Sequence, residues 1–218
     1  MDTHSAPTTA ADPAATVLRV EGRDARALLH RISTNFLADL EPGQARATVF
    51  CDFRGRLLHR AVVCAASDGA LWLLRDDTPG AALAAYIDRH VFREDARVAD
   101  LSGAWTVDPA PPVDGLDPGA TFECDGAPSA VQLDGIAWLV RPRPAGAGIG
   151  PEERLALERA RIQAGRAAHG HEITEDFNPF EVGLGHEVHL DKGCFTGQEA
   201  LLRMMTYRSV RRRLARLE

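Results

Sequence analysis

The sequence predicts an α+β fold, with an antiparallel sheet and helices packed on one of its faces. Three observations predict it. Strand-length runs follow one another across turn signals: residues 45–51 and 56–66 flank Asp52-Phe53-Arg54-Gly55, and residues 70–75 follow Asp68-Gly69. Helical periodicity occurs in separate stretches between those runs. A Pro/Gly-rich stretch, residues 108–119, divides the chain.

The elements follow in order. Residues 16–20 alternate weakly and read as a strand. A helix is expected over 24–39, where Leu28, Leu29, Ile32 and Phe36 form an apolar stripe. Pro42-Gly43 closes that unit. After the three strands, Thr78-Pro79 reads as an N-cap with proline at N1, opening a helix to about residue 90. Residues 96–101 read as a further strand. Beyond the Pro/Gly stretch, strands are expected at 122–124 and 130–140, and residues 142–150 as a loop. Pro151 starts a helix that runs to about Gln163 and stops at Gly165. Residues 169–185 lack periodicity but carry Ile173, Phe177, Phe180, Val182 and Leu184, so an ordered loop is expected. The last residues, 210–217, read as an edge strand rich in arginine. The domain reading is a disordered tail over 1–15, a first subdomain over 16–105, a linker over 106–120 and a second subdomain over 121–218.

Composition excludes several classes. No apolar run approaches the roughly 18 residues of a membrane span. The first fifteen residues have neither a basic start nor an apolar stretch, so a cytoplasmic protein is expected. Cys51, Cys64, Cys124 and Cys194 form no C-x-x-C, which fits reduced thiols and no metal knuckle. The pairs His169/His171 and His186/His189 sit on irregular segments and are read as capping or solvated rather than as metal ligands. A net charge of −6 argues against direct nucleic-acid binding.

The segment from Lys192 to Met205 carries the chemistry. Lys192 is the one lysine among 25 basic residues, where a compact ammonium differs from a broad guanidinium. Gly193 and Gly197 bracket Cys194 and Phe195 and permit a sharp turn with positive φ. Thr196-x-x-Glu199 reads as a capping box, with a helix continuing behind it. Cys194 then sits beside a lysine and ahead of a helix N-terminus, and both favour thiolate. The residues alone leave two readings open: a reactive cysteine, or a structural cysteine in a tight turn.

Lys192-Gly193-Cys194-Phe195-Thr196-Gly197-Gln198-Glu199 resembles the K-G-C-[F/Y]-x-G-Q-E signature of the YgfZ family, itself related to the glycine cleavage T-protein. Arg31-Ile32-Ser33-Thr34-Asn35, Leu40-Glu41-Pro42-Gly43-Gln44, Arg161-Ile162-Gln163-Ala164-Gly165 and Pro179-Phe180-Glu181-Val182-Gly183-Leu184 resemble further motifs of those families. The resemblance implies antiparallel sheets with helices around a central cavity that binds tetrahydrofolate, and a C-terminal β-barrel for which no residues remain here. It implies support of iron–sulfur cluster assembly or repair and, through it, of tRNA-modifying enzymes. Its partners would be folate, iron–sulfur proteins and a second copy of the chain, since loss of a barrel exposes apolar surface. It also implies site roles. Cys194 and Lys192 would carry the chemistry, with Gly193, Phe195, Gly197, Gln198 and Glu199 completing the motif. Gln163, Arg161, Glu181 and Arg203 would bind folate. Two departures stand out: Gln163 replaces a glutamate, and Phe36 stands where relatives have aspartate. The alternatives are a tetrahydrofolate-dependent aminomethyl or methyl transferase, and a degenerate scaffold that no longer binds folate.

Overall fold

The computed structural model describes residues 15–133, 135–144 and 150–215. The expected tail up to residue 14 and most of the 142–150 loop lie outside them; Ala15, its last residue, is buried in the core. The first half of the chain runs β1 (Thr16–Glu21), α1 (Ala25–Ile32), β2 (Ala45–Cys51), β3 (Leu57–Ala65), β4 (Leu71–Arg75), α2 (Ala81–Asp88) and β5 (Arg97–Asp100). Its strands make one antiparallel sheet, ordered β2-β3-β4-β1-β5. A second antiparallel sheet, ordered β6-β9-β8-β7, comes from β6 (Trp105–Ala110), β7 (Thr121–Cys124), β8 (Ala127–Leu133) and β9 (Ile136–Pro142). Then follow α3 (Pro151–Gln163), a long ordered loop with one 3-10 turn at Gly185–Glu187, and α4 (Gln198–Thr206).

Three apolar clusters hold these layers. Leu28, Leu29 and Ile32 of α1, with Leu83 and Ile87 of α2, pack on Leu18, Val20, Val63, Leu71 and Leu73 of the first sheet. The other face of that sheet is strand-alternate: Val17, Val62, Cys64, Trp72 and Leu74 meet Val107, Val131, Trp138 and Val140 of the second sheet. The expected α+β class therefore holds, and the helices do lie on one face of the first sheet. The second sheet covers the other. A third cluster closes one end, where Val49, Cys51 and Leu57 meet Ile173, Val182, Leu184, Phe195 and Leu201. This is the burial that the apolar residues of the 169–185 loop required.

Several sequence expectations need correction. Helix α1 stops at Ile32 instead of continuing to 39. Ser33 is extended (φ −119°, ψ 171°), and Thr34 leaves the helix to donate its N–H to Val49 O at 2.9 Å. Tertiary pairing outweighs helical periodicity there, and Phe36 packs instead between the rings of His30 and His189. Helix α2 starts at Ala81, not at Thr78. The Thr78 and Pro79 carbonyls accept from the Thr16 hydroxyl and the Arg75 guanidinium at 2.7 and 3.0 Å, which holds that pair as a loop. The 108–119 stretch begins inside β6. Proline is tolerated at 109 because β6 is an edge strand and loses no ladder bond it needs. The 130–140 run is two strands, β8 and β9, reversing at Gly135 with φ 78°. Residues 210–215 form no strand. Arg212 and Leu214 are held individually by Glu181, at 2.9 Å to the side chain and 2.7 Å to the carbonyl.

Leu73 is fully buried at the centre of the first core. Leu73→Ala is expected to cost about 2–5 kcal/mol in urea unfolding. Leu202→Ala, at an exposed position on α4, is expected to stay within about 0.5 kcal/mol.

Candidate functional site

Two segments distant in sequence meet to build the candidate site. The turn at 30–35 leaves α1, and the loop at 187–195 crosses it. Thr34 fastens them: its hydroxyl donates to Glu187 O at 2.8 Å, and its carbonyl accepts the His189 N–H at 3.0 Å. Asn35 holds the turn to β2, donating from its amide to Ala47 O at 2.7 Å. Across this frame lies Lys192, only 5% exposed. Its ammonium donates to His30 O and to Asn35 O, the latter at 2.7 Å, and lies 5.2 Å from the centre of the Phe195 ring. It makes no ion pair among the described residues. Burial pushes its pKa down to about 7.

The rest of the motif is arranged around that clamp. Phe195 is buried and Cys194 is exposed. Gln198 donates to Leu190 O at 2.8 Å and Lys192 O at 3.2 Å, tying the loop to the first turn of α4. Gly197 has φ 83° and caps α4, and a methyl group there would overlap Asp52 O. Only glycine meets both demands. The expected capping box does not form: α4 begins after Gly197 with no side-chain cap, and Glu199 pairs with Arg203 at 2.6 Å. Gly193, unlike Gly197, does not take positive φ. Of the other thiols, Cys51 and Cys64 are buried, and burial pushes both well above the usual range. Cys124 is exposed, far along the second sheet.

The four residues expected to bind folate fall in different places. Arg161 is buried and doubly paired, to Glu158 at 2.6 Å and Glu172 at 2.8 Å. Gln163, the last residue of α3, is exposed. Glu181 is buried under Arg212 at 2.9 Å. Burial alone would raise its carboxyl; the bonds from Arg212 and Asn178 N–H, with the Arg212 and Arg56 charges, outweigh that and hold it low. Arg203 lies exposed on α4. Glu181 lines an open pocket of about 520 Å³ with Glu172, Phe177, Val182, Arg212 and Arg213. Arg161 reaches that pocket only through Glu172. Arg161 also lines a central cleft, but its free space is about 40 Å³, room for little more than a water.

A charged network that the sequence did not reveal fills the central cleft. His169 donates from Nδ1 to Asp77 at 3.0 Å, and its Nε2 accepts from Arg75 at 3.0 Å and the Arg60 N–H at 3.2 Å. Arg60 pairs with buried Glu187 at 2.6 Å, and Arg166 with Asp76 at 2.9 Å. Burial keeps His169 below the usual imidazole range, although Asp77 pulls the other way. Burial, with Arg75 and His169 adding, pushes neighbouring His59 down to about 3. Asp76-Asp77 and the histidines were visible in the sequence, but their convergence needs the pairing of β3, β4 and the 166–173 loop. Among the described residues no group of three or more His, Cys, Asp and Glu is disposed to hold a metal.

Residues 14–107 match the model of the GCVT N-terminal domain. An aminomethyltransferase of Synechococcus elongatus is 27% identical over 92% of this chain and 63% of its own length. A chloroplastic protein of Arabidopsis thaliana named for a transferase role is 35% identical over 42% of this chain and 23% of its own. The crystal structure of the glycine cleavage system aminomethyltransferase T from Bartonella henselae superposes with TM-score 0.73 at 19% identity, over 89% of this chain and 62% of that one. The chain has a GCVT-like fold. It spans less than two thirds of the length of each of these proteins. Among the described residues of this GCVT-like chain, no helix is long and apolar enough to cross a membrane.

Two pH dependences follow. Lys192 releases its proton near pH 7 when folded but near 10.5 when unfolded. The unfolded state then binds more protons above pH 7, so stability rises with pH. Chemical unfolding between about pH 7 and 8, below the ordinary thiol range, is expected to show that rise, and Lys192→Met to flatten it. Parallel slopes would assign the rise elsewhere. On the acid side, burial holds His59 near 3 and His169 below the ordinary imidazole range when folded, while the unfolded chain protonates both near 6.5. Stability is expected to fall as pH drops from about 6.5 toward 3, less steeply in His59→Asn.

Proposed function

We propose that this chain is a folate-binding accessory protein of the YgfZ type, which supports iron–sulfur proteins through an exposed Cys194. The observation that carries this reading is the contrast within one loop: Lys192 and Phe195 are buried and clamped, while Cys194 between them is exposed. A loop anchored on both sides of an exposed thiol presents that thiol to a partner. A merely structural cysteine would be buried with its neighbours, as Cys51 and Cys64 are. The resemblance of residues 192–199 to the YgfZ signature supports the same reading. The likeness to aminomethyltransferases supports folate as the bound cofactor.

Folate fits the pocket beside Glu181 better than the central cleft. Ligand sites of this class take about 300–1,000 Å³. The Glu181 pocket offers about 520 Å³ and the Arg161 cleft about 40 Å³. Phe177 offers an apolar wall, and Arg213 offers a cation suited to the carboxylates of a folate tail. Glu181 itself serves as the anchor of Arg212. Gln163 and Arg203 stand outside this pocket's lining, so their part in folate binding depends on movement of α3 or α4. When bound, the folate would supply or accept one-carbon units; this chain's residues would hold and orient it. The second reading, a one-carbon transferase, draws on the names of the relatives.

Calorimetric titration with tetrahydrofolate under reducing conditions tests the proposal. Binding is expected for the native chain, about tenfold weaker for Arg213→Ala, and unchanged for Cys194→Ala. In a host deprived of its own copy, Cys194→Ala is expected to abolish recovery of iron–sulfur enzyme activity. Absence of heat with both the native chain and Gln163→Glu would leave the degenerate-scaffold reading. Full recovery with Cys194→Ala would remove the accessory role and favour the transferase.

A further inference from the structure

Helix α3 stands almost free of the body of the protein. Arg161 is its one buried residue. Residues Pro151 to Ala156, which make up its first turns, are exposed throughout. Leu155 and Ile162 are 51% and 52% exposed. At 3.6 residues per turn, Pro151, Leu155 and Ile162 fall within about 40° of arc and form one apolar seam. Buried Arg161 and half-buried Leu157 lie on a different face, the one turned to the rest of the chain. A helix of 13 residues is marginal in water without packing. An exposed seam on such a helix calls for a partner surface.

The charges beside the seam decide which surface fits. Glu158 and Arg161 are paired within the chain. Among the described residues, Glu152, Arg154 and Arg159 make no ion pair, and all three are exposed. Glu152 and Arg159 are seven residues apart, two helical turns, so they share one flank of the seam. Two copies of α3 can be laid antiparallel about a two-fold axis, with Leu155 against the partner's Leu155. Each flank then faces the same flank of the other copy. Glu152 lies level with the partner's Arg159, and Arg159 with the partner's Glu152. Pro151 and Ile162 close the ends of the seam on the partner's Ile162 and the partner's Pro151. On the other flank, Arg154 comes level with the partner's Glu158. The helix dipoles run head to tail, whereas a parallel pair would bring the two acidic first turns together. We propose that this face of α3 binds a second copy of this chain through an antiparallel α3–α3 contact. The contact is small, so the dimer is weak and reversible. It uses no residue that lines the Glu181 pocket and stands apart from the folate reading.

Sedimentation equilibrium of the full chain, up to millimolar loading, tests the proposal. The native chain is expected to dimerise, and more weakly at high salt. Arg159→Glu alone and Glu152→Arg alone each set like charges opposite one another. Each is expected to weaken the dimer about tenfold or more, with an unchanged circular dichroism spectrum. An equimolar mixture of these two variants restores both ion pairs in the heterodimer and is expected to recover the native affinity. A crosslink reports the register directly. With the exposed Cys124 and Cys194 replaced by serine, Leu155→Cys is expected to give a disulfide-linked dimer on mild oxidation. Ala160→Cys, exposed on the far side of the helix from the seam, is expected to give none. A native chain that stays monomeric overturns the proposal and leaves the seam to another segment or another partner. So does a dimer that both charge reversals leave intact, or one that the mixture of folded variants fails to restore. If the charge variants lose helix, the cysteine pair decides: crosslinking from residue 160 as readily as from residue 155 overturns the proposal.

Discussion

The arrangement of the candidate site depends on one buried residue, Thr34. Its N–H pairs with Val49 of β2, its hydroxyl reaches Glu187, and its carbonyl holds His189. These bonds bring the loop of residues 187–195 against the end of α1. Once the loop lies there, the carbonyls of His30 and Asn35 point into the space that Lys192 fills. A charge buried against carbonyls alone is costly, and the lowered pKa of Lys192 expresses that cost. A lysine suits the position because its single ammonium fits between two carbonyl oxygens. A guanidinium would bring a flat fork of five donors to two acceptors.

The remaining charges turn a long irregular loop into a wall. Arg60–Glu187, Arg75–His169–Asp77 and Arg161–Glu172 each join the first sheet or α3 to the 166–188 segment. Such pairs add little stability when well solvated, but breaking one partner of a buried pair strands the other. The loop therefore has a single position without regular secondary structure. The same pairs occupy the central cleft. A roomier, open pocket lies instead beside Glu181, at the edge where residues 212–214 come back onto the loop.

The sequence alone determined the fold class, most strand positions and α3, and singled out residues 192–199 as the candidate site. Those depend on local chemistry: β-rich runs between turn residues, a proline at a helix start, and glycines at forced turns. Gly197 is such a case, legible from its neighbours and required by its φ. Tertiary structure alone decided that α1 ends at Ile32, that the lysine expected beside Cys194 spends its ammonium on carbonyls of a distant turn, and that Arg161, Glu181 and Arg203 stand apart. It also decided that Asp77, Arg75 and His169 converge. The decisive partners lie far apart in sequence: Lys192 reaches Asn35, His169 reaches Arg75, and Arg212 reaches Glu181. Local propensity is blind to such partners, and a buried hydrogen bond or ion pair overrides it.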